Sequence, residues 1–245
     1  MIAAGLLSSN ASAGTVRGTV KFQGDRPARQ VLRVAGDKVC EALTAKNPPV
    51  LEEVVVNENS TLRNVVVYIS KGWPDDAPKK SPGSRQTIVQ QNCQFYPHVL
   101  AVQSGQEVEI QSRDETLHNV NILPKNNPRF NKTSFGKDSP ALLKFEKPEL
   151  AIKVKDDIHP WMVAWVAVFD HGDFAVTGED GTFQIPDLPP GEYVINAWHE
   201  KFGQTETPVI VGQDGATDVV FNFTATGDKS GTQTQFQDKS TTIPE

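Results

Sequence analysis

Along most of this 245-residue chain, hydrophobic and polar residues alternate with a period of two. The alternating runs are rich in Val, Ile, Phe and Thr and predict strands over residues 15–22, 54–56, 62–70, 107–111, 118–123, 151–155, 163–169, 182–185, 193–198, 207–211 and 218–223. Turn signals lie between them: Gly24-Asp25, Ser104-Gly105, Glu179-Asp180-Gly181 and Pro189-Pro190-Gly191. Gly supplies positive φ there and Pro holds φ near its turn value. Many short strands with frequent turns make an all-β sandwich or barrel. One short helix is expected over residues 37–45, ahead of the helix-ending Asn47-Pro48-Pro49. Residues 71–85, KGWPDDAPKKSPGSR, carry Pro, Gly and charge without a period and read as a linker, while 225–245 read as a disordered polar tail.

Composition narrows the function classes. Apolar residues make up 38% of the chain and charged residues 22%, a globular balance, and no apolar run reaches the ~20 residues of a membrane span. A formal charge of −6 lacks the basic excess that phosphate backbones select, which argues against nucleic acid as a partner. Metals, small molecules and other proteins remain.

The first thirteen residues, MIAAGLLSSNASA, form a short apolar stretch ending in Ala11-Ser12-Ala13, the small-x-small pattern of a signal-peptidase site. They read as a partial signal-like segment without a basic start, and imply a periplasmic or secreted protein. Cys40 and Cys93 are the only cysteines, and in an oxidising compartment an even pair reads as one disulfide; two buried free thiols are the alternative. The spacing excludes a Cys-x-x-Cys redox or zinc motif. No Gly-x-Ser-x-Gly, His-Glu-x-x-His or phosphate-cradling Gly loop occurs, so no catalytic constellation is expected.

From Phe95 the chain runs FYPHVLAVQSGQEVEIQSRDETLHNVNIL, and residues 154–162 read VKDDIHPWM. Residues 86–170 thereby resemble a cupredoxin, the plastocyanin and azurin fold. A Phe-x-Pro opening, an alternating strand, a turn at Gly105, a second strand and a polar turn lead to His118-Asn119. The resemblance implies a Greek-key sandwich with His118 as first copper ligand, and His159 and Met162 in the second ligand loop. Asp156 stands where the family has its cysteine. Two imidazoles with one carboxylate suit copper(II), zinc or non-haem iron. His98, in Tyr96-Pro97-His98, is a further candidate ligand. The structural alternatives are a solvated loop carboxylate at Asp156, core filling at Met162 and a half-buried ring at His98.

The flanks carry a second resemblance. GTVRGTVKFQGDRP from Gly14 and TGEDGTFQIPDLPPGEYVINAWHE from Thr177 are similar to two parts of one carboxypeptidase-regulatory or transthyretin-like β-sandwich. The arrangement implies that residues 14–85 and 171–224 build that sandwich and that 86–170 are inserted between its strands, as in exported bacterial proteins of methylamine-utilisation or plastocyanin-like type. Insertion at an exposed loop is physically tolerated. His171 and His199 are expected to be structural histidines capping strands, with a second polar cluster near the domain junction as the alternative. The expected function is an exported copper protein, an electron or copper carrier, with a redox or copper-donor protein as partner. A scaffold or carbohydrate-binding sandwich that has lost its metal is the alternative, and a metal-dependent enzyme a third.

Overall fold

The computed structural model describes residues 13–74, 80–136, 140–213 and 215–225, together with the backbone of 233–235. The signal-like residues 1–12, the middle of the linker at 75–79 and most of the tail lie outside the described residues. Strands dominate: β1 (Gly14–Gln23), then the helix α1 (Lys38–Thr44), β2 (Val66–Lys71), β3 (Gln86–Gln91), β4 (Gln94–Tyr96), β5 (Val99–Gln103), β6 (Glu107–Ser112), β7 (Leu117–Leu123), β8 (Phe130–Phe135) and β9 (Ala141–Lys144). There follow β10 (Glu149–Lys155), β11 (Val163–Phe169), β12 (Phe174–Val176), β13 (Thr182–Leu188), β14 (Gly191–His199), β15 (Gly203–Val211), β16 (Ala216–Thr224) and β17 (Gln233–Gln235).

These strands form four sheets that separate by sequence segment. The orders β13-β1-β16-β17 and β12-β2-β14-β15 use strands of residues 14–71 and 174–235, whereas β5-β11-β10-β7-β8 and β4-β3-β6-β9 use strands of 86–169. The protein is therefore all-β, with a central sandwich and a second one assembled from its flanks. The first strand requires two late ones: β1 runs parallel to β16 over nine residue pairs and antiparallel to β13.

Burial follows the alternation that predicted the strands. β6 and β16 alternate strictly between buried and half-buried positions, and their inward residues fill separate cores. The flanking core is built on Val16, Val20, Leu62, Ile185, Ile195 and Phe221, and the central one on Ile88, Phe95, Ile122, Ile152 and Val166. Each such side chain contributes roughly 1.5–3 kcal/mol by leaving water. β11 breaks the alternation because both its faces are covered. Ala164, Val166 and Val168 face the central core, while Ala167 and Phe169 join Val66, Val99 and Trp198 in a third cluster that seals the two sandwiches together.

Several expectations change. Residues 54–56 form no strand; only Val56 makes a single bridge, to Leu62. The tail supplies β17 against β16, where no strand is expected. β3, β8 and β9 escape the pattern because QTIVQQ, FNKTSF and ALLK hold too few alternating apolar residues, and β4 and β12 are three residues long. The helix starts where its cap dictates: the Asp37 side chain accepts from the N–H groups of Val39 and Cys40. Cys40 of α1 is disulfide-bonded to Cys93, with Cα atoms 5.7 Å apart. Cys93 sits in the two-residue turn between β3 and β4, where Asn92 and Cys93 both take positive φ, 51° and 53°. That is the turn whose twist suits a tight hairpin.

Candidate metal centre

Three buried side chains meet at one end of the central sandwich. His118 is near the start of β7, on the inward face that also carries Val120 and Ile122. Asp156 and His159 come from the loop between β10 and β11, which Asp156 itself shapes. Its Oδ1 accepts the N–H of Ile158 at 2.7 Å and of His159 at 3.0 Å. The N–H of Met162 then donates to the His159 carbonyl at 2.8 Å, and that of Asp156 to the Met162 carbonyl at 3.2 Å, closing the loop. Asp156 and His159 are each 1% exposed and His118 is fully buried, so Asp156 is no solvated carboxylate.

The three facing atoms form a nearly equilateral triangle. His118 Nδ1 lies 3.0 Å from Asp156 Oδ2, His159 Nδ1 lies 3.2 Å from the same oxygen, and the two Nδ1 atoms are 3.2 Å apart. Two imidazole nitrogens at that distance need something between them, a proton or a cation. Donors about 2.0–2.1 Å from a tetrahedral metal stand about 3.3 Å from one another, so the donor set fits a first-row divalent ion. Two imidazoles and one carboxylate suit copper(II) or zinc.

Each ring turns its other nitrogen outward onto a carboxylate. His118 Nε2 is 3.0 Å from Asp114 Oδ2, and His159 Nε2 is 3.4 Å from Asp37 Oδ2 and 3.6 Å from Cys40 Sγ. Burial opposes a charge on His118, but its bonds to Asp114 and Asp156 outweigh it and raise the pKa to about 9. The Asp156 carboxyl is likewise pushed up by burial and brought below its usual range by His118 and the N–H groups of Asn119, His159 and Ile158. Burial also acts against ionisation of Asp37, whose bonds from Thr116, Cys40, Val39 and His159 hold it at about 2. A metal arriving at the triangle would displace the proton, so binding is coupled to proton release.

Met162 is buried in the central core, 1% exposed. His98 does not join the triangle: its Nδ1–H donates to the Val163 carbonyl at 3.1 Å and its Nε2 bonds the Glu200 carboxylate of the flanking sandwich. Among the described residues it joins no cluster with His118, Asp156 or His159, which corrects its expected place beside them. His171 Nδ1 accepts from the Asp173 N–H, and His199 Nδ1 from those of Lys201 and Phe202, so the two rings sit on separate local partners. Asp37 and Asp114 were not singled out from the sequence. Asp114 lies four residues before His118 in the polar turn, a spacing that could have drawn notice; nothing local connects Asp37 to His159.

No family model matches the chain, and no curated protein matches it. Among solved structures it is similar to the Cu-containing nitrite reductase from Thermus scotoductus SA-01, at 22% identity and a TM-score of 0.32 over 40% of this chain and 25% of that one. It is similar to a reduced Cu(I) form of an amicyanin mutant, at 19% identity and a TM-score of 0.31 over 38% of this chain and 95% of that one. A purple cupredoxin from Nitrosopumilus maritimus matches at 21% identity and a TM-score of 0.30, over 34% of this chain and 99% of that one. The chain thus spans a quarter of the nitrite reductase's length and nearly all of the two smaller proteins.

Proposed function

We propose that this chain is an exported copper carrier of cupredoxin type, in which His118, Asp156 and His159 hold one copper(II) ion. The observation that carries the reading is the buried triangle of Nδ1, Nδ1 and Oδ2 with edges of 3.0–3.2 Å. Copper is favoured because it binds such donors most tightly among first-row divalent ions. Carriage is favoured over electron transfer because the thiolate of electron-transfer copper sites is replaced by the oxygen of Asp156. The disulfide supports an oxidising compartment, and a copper-donor protein is the partner such a role needs. The separation of the sheets by segment supports an inserted 86–170 unit within a transthyretin-like frame of 14–85 and 171–224.

One observation favours the scaffold reading instead. Both nitrogens of His118 lie 3.0 Å from carboxylate oxygens, and a doubly protonated ring satisfies that arrangement with no metal. Calorimetry with copper(II) and zinc, with metal content measured on the loaded protein, separates the two. The carrier reading expects about one equivalent per chain, copper(II) bound more tightly than zinc, and a loss in His118→Ala larger than the ~10–100-fold typical of outer partners. Wild-type protein that binds neither ion stoichiometrically would leave the scaffold reading standing.

A further inference from the structure

We infer that Asp37 and Asp114 are positioning residues for this centre and that the Cys40–Cys93 disulfide is the clasp that holds both; the inference rests on the metal-binding reading above. The two carboxylates are placed alike. Asp114 accepts the N–H of Asn92 at 2.8 Å through Oδ1, and through Oδ2 the N–H of Cys93 at 2.9 Å and the Nε2–H of His118. Asp37 accepts the N–H groups of Val39 and Cys40 at 2.7 and 2.9 Å through Oδ1, and through Oδ2 the Thr116 hydroxyl at 2.6 Å and the Nε2–H of His159. Each cysteine therefore donates its backbone N–H to the carboxylate that bonds one of the two rings. The sulfur bridge closes these chains into one loop: His159, Asp37, Cys40, Cys93, Asp114, His118.

The consequence for a metal is direct. A carboxylate on Nε2–H fixes the tautomer that leaves the Nδ1 lone pair facing inward, sets the ring's angle and raises its basicity as a ligand. Asp114 has a second task, because its carboxylate satisfies the two N–H groups of a turn whose non-glycine residues hold positive φ. Asp37 arrives on α1, seven residues long with Val39 37% and Leu43 43% exposed, so the helix packs weakly by itself. The disulfide is its covalent tie to the central sandwich, where both cysteines are fully buried. The flanking segment thus completes the centre of the inserted one.

The test uses the full-length oxidised protein with cobalt(II) and zinc as probes. Asp37→Asn keeps a residue that caps a helix equally well while removing the charge. Asp37→Asn, Asp114→Asn and the double variant Cys40→Ala/Cys93→Ala are each expected to weaken zinc binding by about 10–100-fold. They are also expected to shift the visible cobalt(II) bands at saturation, which a merely structural loss would not do. Native near-ultraviolet circular dichroism of Asp37→Asn shows that the fold persists. Variants that match wild type in affinity and spectrum overturn the clasp while leaving the metal site intact. A wild-type protein that binds neither ion overturns both.

Discussion

Two regions of the molecule bury histidine beside carboxylate, and they use it oppositely. At the end of the central sandwich, His118 and His159 turn Nδ1 toward each other and toward Asp156, with Asp114 and Asp37 behind. At the seam between sandwiches, His98 faces Val163 and Glu200 with its two nitrogens, and Glu52 stands 3.9 Å away. Burial presses His98 toward neutrality, yet Glu200 and then Glu52 keep it above its ordinary pKa. Glu200 also accepts from Trp165 Nε1 at 2.7 Å, so its two oxygens hold the His98 and Trp165 rings. The comparison teaches that what marks a buried histidine as a ligand candidate is a second ring and a carboxylate meeting it at one place, as His159 and Asp156 meet His118, whereas among the described residues His98 meets only a backbone carbonyl and carboxylates.

The strongest way to sharpen this contrast is Asp156→Cys. With His118 and His159 already converging on that position, the variant loaded with copper(II) is expected to gain an intense visible band from sulfur-to-copper charge transfer, absent in wild type. A colourless variant that nonetheless binds copper would show that residue 156 does not face the metal.

The seam offers a pH test of intermediate size. His199, in the flanking sandwich, is lowered to about 3 by burial and by the charge on His98. Its Nδ1 accepts two N–H groups, so the proton sits on Nε2, which is buried without a partner among the described residues. The unfolded chain takes up a proton near pH 6.5 that the native protein refuses until about 3. Stability from this group is thus complete above about pH 6.5 and is lost as pH falls toward 3, on the order of several kcal/mol. Denaturant unfolding across that range should fall less steeply in His199→Phe than in wild type. Equal slopes would mean that the ring is not held neutral.

The smallest effect on the centre is expected from His98→Gln. It should cost roughly 1–3 kcal/mol through the weakened Glu200 contact while leaving metal affinity unchanged. A drop in affinity equal to that of His118→Ala would return His98 to the ligand set.

Much of the fold was legible because inward and outward residues alternate on strands such as β6 and β16, and because Ser104-Gly105 marks a turn that Gly105 takes at φ 79°. The polar β8 and the three-residue β4 and β12 were not, since their pairing comes from neighbours and not from their own pattern. The strand-end His118 and the loop pair Asp156 and His159 stood out through the resemblance of their motifs to cupredoxin ligand segments. Asp37 did not: its place beside His159 depends on a helix 122 residues away being brought over the centre. His98 misled because proximity in sequence to the Phe95 strand says nothing of Glu200, 102 residues further on.

The central claim is that two histidine Nδ1 atoms and the Asp156 carboxylate converge on one metal. Electron paramagnetic resonance of the copper(II) protein, with histidine labelled by nitrogen-15, counts the coordinated rings directly. The account predicts two equivalently strong histidine couplings in wild type, one in His118→Ala, and two in His98→Gln. No stoichiometric copper signal, or a wild-type signal that loses a coupling in His98→Gln but not in His118→Ala, would contradict it.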